Sequence, residues 1–152
     1  MPVFNDSENI PAVLPEGDYS FCIVGMRCKI SAGKTTAGCE VFEMDLEMEP
    51  SNKGVMEFLI DHKSCLWKWD VMLKSCGVKL QKGEPYDLRK EVATQSGIRW
   101  INPIGLRGWC RLIQEPSSRD PKRMFNRVAV FYTDRPKLEP REIETSEEDT
   151  PF

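Results

Sequence analysis

No run of this chain approaches the roughly 20 consecutive apolar residues that a membrane-crossing helix needs. Mean hydropathy is −0.44. The opening residues, Met1 to Glu8, have neither the basic start nor the apolar stretch of a secretory signal, so the expected location is the cytoplasm, with no membrane partner. A single histidine, no nucleophile–base pair and no glycine-rich cofactor loop argue against covalent and nucleotide-dependent catalysis. No enzyme activity and no cofactor are expected. Gly33-Lys34-Thr35 imitates the end of a phosphate-binding loop, but Cys28 stands where that loop needs glycine and no helix signal follows. The six cysteines (Cys22, Cys28, Cys39, Cys65, Cys76, Cys110) lack a tight pairing motif and read as reduced thiols. His62, Cys65 and Cys76, with a distant Cys110, offer only one short-spaced pair where a structural zinc site has two, so no metal is expected.

What the chain does have is segregated charge. From Lys137 onward six carboxylates (Glu139, Glu142, Glu144, Glu147, Glu148, Asp149) face two cations (Lys137, Arg141), a net of −4 against −3 for all 152 residues. From Glu139 on, only Ile143 and Phe152 are large and apolar. That is too little to offset the entropy of ordering the segment, so residues 137–152 are expected to form a disordered acidic tail. Pro151 extends the backbone ahead of Phe152, whose ring and free carboxylate suit an apolar pocket beside a cation, with Glu147, Glu148 and Asp149 along a basic rim. Conversely, Arg99 to Arg127 holds seven cations against Glu115 and Asp120, a net of +5.

Between an N-terminal arm (1–13) and that tail lies one expected domain, 14–136. Tyr19 to Ile30 is rich in β-formers and reads as a strand. Phe42, Met44, Leu46 and Met48 alternate with Glu43, Asp45, Glu47 and Glu49, the period of a half-buried strand. The four carboxylates could hold a nuclease metal, but a solvated sheet face is the commoner reason for the pattern, and phosphates are not expected to bind there. Ser51 to Gly54 reads as a hairpin turn before a third strand, Val55–Ile60, with Met56, Phe58 and Ile60 on one side. The period then lengthens. Leu66, Trp69, Met72 or Leu73, and Cys76 mark an amphipathic helix capped by Ser64 and ended by Gly77. A short helix over Tyr86–Thr94 and a short strand over Ile98–Ile101 are expected next.

In Leu106–Ile113 the strand period puts Leu106, Cys110 and Leu112 on one face and Arg107, Trp109 and Arg111 on the other. Cation, indole, cation on one side suits an unpaired nucleic-acid strand, with arginines on phosphates and the ring under a base. A polar basic loop follows (Gln114–Met124, with Arg119, Lys122 and Arg123). Then Phe125–Tyr132 alternates, Val128, Val130 and Tyr132 opposite Phe125, Arg127, Ala129 and Phe131. Phe125 and Trp100 join Trp109 as candidate stacking rings. Three strands, one helix and a strand pair is the order of the OB-fold, a mainly β five-stranded barrel with its helix between strands three and four. Residues 79–101 would be an insertion.

The acidic end Glu147-Glu148-Asp149-Thr150-Pro151-Phe152 resembles the C-terminal tip of bacterial and phage single-stranded DNA-binding proteins. The resemblance implies sequence-independent binding of single-stranded DNA in replication, recombination and repair, with the tip docking enzymes of those processes. For a phage protein the compartment would be the bacterial host cytoplasm. The competing reading is an adaptor with no nucleic-acid affinity, a small barrel that recruits partners through its tail. Whether the chain forms a homo-oligomer is open at this level.

Overall fold

A computed structural model describes residues 13–32, 37–88 and 97–143. In chain order the elements are β1 (Gly17–Ile30), β2 (Glu40–Glu49), β3 (Lys53–Ile60), α1 (Leu66–Ser75), β4 (Tyr86–Leu88), β5 (Arg99–Ile101), β6 (Arg107–Pro116) and β7 (Met124–Tyr132). Five strands form one antiparallel sheet in the order β3-β2-β1-β6-β7, and β4 and β5 form a separate parallel pair. The chain is mainly β, as expected.

The alternation read in β2 sets the layering. Phe42, Met44, Leu46 and Met48 are buried on its inner face, while the four acids stay partly exposed on the outer one. Phe21 and Ile23 of β1, Val55 and Leu59 of β3, Cys110 and Leu112 of β6, and Val128 and Phe131 of β7 complete the inner layer. Trp69, Met72 and Leu73 of α1 close it. Ring pairs tie helix to sheet and strand to strand: Phe42 meets Trp69 edge-on at 5.3 Å, and Phe21 meets Phe131 at 5.5 Å. Each such buried side chain contributes about 1.5–3 kcal/mol.

The expected barrel is not closed. β3 and β7 are the two edges of the sheet and share no hydrogen-bonded ladder. Lys68 of α1 reaches into the seam, where its ammonium lies 2.6 Å from the Glu57 carboxylate. Glu57 is the inward-facing residue between Val55 and Leu59, so a buried carboxylate and its half-buried lysine occupy ground that an apolar strand pair would otherwise fill. Met56 and Phe58 accordingly point outward.

Other expectations need correction. The helix N-cap is Cys65, which makes no side-chain cap bond, because Ser64 turns back to the His62 ring, Oγ to Nδ1 at 2.7 Å. Leu66, expected on the core face, is exposed. The C-terminus is as read: Gly77 has φ +80°, with Gly77 N–H on Lys74 O (2.9 Å) and Val78 N–H on Leu73 O (3.0 Å), a Schellman closure. Tyr86–Leu88 is a strand rather than the start of a helix, since it pairs with Arg99–Ile101. The remainder of that expected helix, 89–96, lies outside the described residues. In β7 a bulge leaves Ala129 unpaired between Val128 and Val130. Val128 and Phe131 therefore face inward together, while Val130 turns out.

The folded unit also runs further than 136. The Arg141 N–H donates to Gly105 O at 2.8 Å, and its guanidinium pairs with Glu47 (2.9 Å) and Glu49 (3.7 Å). Residues 137–143 thus lie along the sheet; 144–152 and the arm residues 1–12 are outside the described residues. No described helix is long and apolar enough to cross a membrane.

Candidate nucleic-acid interface

The cation–indole–cation strip stands on the outer face of β6, with Arg107, Trp109 and Arg111 outward and Gly108, Cys110 and Leu112 inward. Its charges are already spent within the protein. Arg107 holds Glu49 through Nη2 (2.8 Å) and Nε (3.1 Å), and Arg111 sits 3.4 Å from Asp18. The Trp109 indole N–H donates to Pro136 O at 3.0 Å, and the Arg135 guanidinium lies 5.8 Å from its ring and 4.3 Å from that of Tyr132. Burial pushes the Glu49 carboxyl up, but hydrogen bonds from Arg107 and Ser20 and the charges of Arg107 and Arg141 outweigh it and hold the group below its ordinary value. The Tyr132 hydroxyl, with Arg135 and Arg111, likewise holds Asp18 low. On β2, Arg27 bridges Glu43 (3.3 Å) and Asp45 (2.9 Å), and Lys29 also pairs with Glu43. The outer face of β2, β1 and β6 is a neutralised lattice, neither the acidic sheet nor the cationic groove that the charges along the sequence indicate.

Unspent cations lie one hairpin away. The loop between β6 and β7 folds on itself: Ser117 N–H donates to Arg123 O (2.8 Å), and Asp120 Oδ1 accepts from the Lys122 N–H (3.1 Å). The Asp120 carboxylate is thereby engaged by backbone. Arg119, Lys122 and Arg123 are exposed and have no ion pair among the described residues. Arg127 follows on the outer face of β7, paired to Glu115 at 2.7 Å. That hydrogen bond holds the Glu115 carboxyl below its ordinary value.

Beside this loop the unpaired edges of β3 and β7 flank a cleft of ≈ 500 Å³. Met56 (43 % exposed), Phe58 (45 %), Met124 (44 %) and Phe125 (41 %) line it, large apolar side chains left open to water on both walls. Lys53, Lys68 and Arg127 supply its positive groups. Glu57 lies at its base. Burial raises the Glu57 carboxyl above its ordinary value, and the Lys68 bond only partly opposes that.

Of the residues singled out in the sequence, Phe125 and Arg127 line the cleft, next in sequence to the loop that carries Arg119, Lys122 and Arg123. Arg107, Trp109 and Arg111 form a separate site on β6. Trp100 sits on β5 and is not among the cleft-lining residues. The tip residues Glu147, Glu148, Asp149, Pro151 and Phe152 lie outside the described residues. Lys53, Met56, Phe58 and Met124 were not foreseen. Their signal was the hairpin register: Met44 pairs with Glu57 and Leu46 with Val55, which turns Met56 and Phe58 outward. The sequence alone left that register open because β3 is apolar on both faces. Among the described residues no group of three or more His, Cys, Asp or Glu is placed to hold a metal ion. No protein-family model matches this chain, and no curated protein sequence is significantly similar to it.

Proposed function

We propose that this protein binds single-stranded DNA without reading its sequence, along the cleft between β3 and β7 and the adjoining basic loop, and that it serves replication, recombination or repair, in a phage or its bacterial host. The observation that carries the reading is the coincidence of exposed rings on opposite walls, Phe58 and Phe125, with the exposed cations Arg119, Lys122 and Arg123. A base can stack on either ring whatever its identity, at roughly 1–3 kcal/mol per base. Phosphates would pair with the loop cations, and with Arg127 once it exchanges Glu115 for the backbone. Counterion release then gives a salt-dependent affinity. The strand order, with one helix between the third and fourth strands of the sheet, supports kinship with the OB-fold, here with its seam open. The acidic tip would recruit partner enzymes, and no step of chemistry is assigned to the chain itself.

The adaptor reading draws support from one observation: Arg107 and Arg111, the cations most suggestive in the sequence, are consumed by Glu49 and Asp18. Fluorescence anisotropy of labelled oligo-dT separates the two. Phe125→Ala should weaken binding by roughly fivefold or more, about 1 kcal/mol being the low end of what one base stacked on a ring is worth. An unchanged affinity would move the strand away from this cleft, and no binding by the intact chain favours the adaptor.

A further inference from the structure

A second cleft, of ≈ 510 Å³, lies where the segment after α1 folds against the helix, and it shares no lining residue with the β3–β7 cleft. Its floor is apolar: Val78, Leu80 and Tyr86, each packed on one side against the core. Its rim carries three ammonium groups, Lys74, Lys79 and Lys82, all exposed and without an ion pair among the described residues. Its two carboxylates are committed elsewhere. Asp70 accepts the Tyr86 hydroxyl at 2.8 Å, and Glu84 accepts the Gln81 N–H at 3.0 Å with Arg99 at 3.9 Å. Both carboxylates keep their charge, so the lining has an excess of one positive charge, carried by three ammonium groups without an ion pair among the described residues around an apolar recess.

We propose that this cleft is a docking site for an acidic peptide of another protein that carries one large apolar side chain. The carboxylates of such a peptide would replace water at Lys74, Lys79 and Lys82, and its apolar side chain would cover Val78 and Leu80. Charge complementarity selects an anion. The recess suits a peptide better than a nucleic acid, because it offers a single ring, Tyr86, held 6.3 Å from Trp69 and tethered through its hydroxyl, beside the aliphatic Val78 and Leu80, whereas a strand of unpaired bases is held by successive stacking rings. An acidic partner at this site leaves the other cleft open, so the two sites would work at once.

The test is fluorescence anisotropy of a fluorescein-labelled hexapeptide, Asp-Glu-Asp-Glu-Leu-Ser, with the full-length chain. The peptide should bind, weaken with salt, and lose at least about tenfold in affinity (1.4 kcal/mol) with Lys79→Glu/Lys82→Glu. The same loss should follow Leu80→Ser, which keeps the rim and removes part of the floor. The Lys79→Glu/Lys82→Glu variant should bind oligo-dT like the parent and unfold at the same temperature, since both lysines are exposed. The proposal is overturned by absent binding, by undiminished binding to either variant, or by displacement of the peptide by oligo-dT. It is equally overturned if the peptide binds only after residues 144–152 are removed, because the chain's own acidic end is then the occupant.

Discussion

Replacing Arg119, Lys122 and Arg123 together by alanine removes three exposed cations whose charges nothing described in the fold uses. Each phosphate left without its cation should reduce the slope of log-affinity against log-salt by roughly 0.7 for a single strand, so the triple variant should lose about 2 units. Relative to 1 M salt, that is about a hundredfold in affinity at 0.1 M. The matched control is Arg107→Ala/Arg111→Ala. Those guanidinium groups already hold Glu49 at 2.8 Å and Asp18 at 3.4 Å, so a phosphate there would compete with a carboxylate for the same charge. Their removal should alter the slope by less than about 0.7, the share of a single phosphate. Anisotropy of labelled oligo-dT over a salt series reads both numbers. If the β6 pair loses as much slope as the loop triple, the strand runs over β6, and the placement argued from spent and unspent charge is wrong.

Four further outcomes follow from the same geometry. Arg107→Ala leaves the half-buried Glu49 with the Ser20 hydroxyl at 2.9 Å and, as its one remaining cation, Arg141 at 3.7 Å, and should lower denaturant stability by about 1–3 kcal/mol; no change would mean the Arg107–Glu49 pair contributes nothing. Glu57 is held above the ordinary carboxylate value by burial, so the folded chain holds that proton more tightly than the unfolded one, and stability is lost as pH rises through the raised value. The melting temperature of Glu57→Gln relative to the parent should therefore move in the variant's favour between about pH 4 and about pH 8, and a pH-independent difference would refute the assignment. Gly105 has φ +93° and would meet the Arg141 carbonyl if given a Cβ. Gly105→Ala should cost about 1–2 kcal/mol and speed tryptic cleavage at Lys137 and Arg141; unchanged proteolysis would show that this approach does not hold the segment down. Deleting residues 144–152 removes four carboxylates. It should leave thermal unfolding unaltered and tighten oligo-dT binding at low salt, where tethered charge competes most; equal binding at all salts would leave the tail without that role.

The strands were legible because three of them carry a one-sided period. The Phe42–Met48 alternation survives intact into β2, and Arg107, Trp109 and Arg111 share a face of β6 as their spacing requires. What the sequence could not carry was the pairing between distant elements. β3 is apolar on both faces, so only its register with β2 shows that Glu57 is the inward residue. That one buried acid, reached by Lys68, accompanies a seam left open where the element order implies a barrel. The bulge at Ala129 is equally invisible, and it reverses the outer half of the pattern in β7. Charge was misjudged for a related reason. A sequence displays the sign of Arg107, Arg111 and the β2 carboxylates but not their distances, and at 3–4 Å opposite signs cancel as ligands for anything else. The short helix expected over Tyr86–Thr94 does not begin at Tyr86, because Tyr86–Leu88 pairs with Arg99–Ile101 and that pairing overrides local propensity.

The most direct test of the account is to titrate the intact chain with labelled oligo-dT at low and high salt, beside duplex DNA of equal length. Oligo-dT should bind more tightly than the duplex and weaken with salt by a slope of about −2 to −3, three to four neutralised phosphates. Absence of binding at low salt, or a slope near zero, would contradict it.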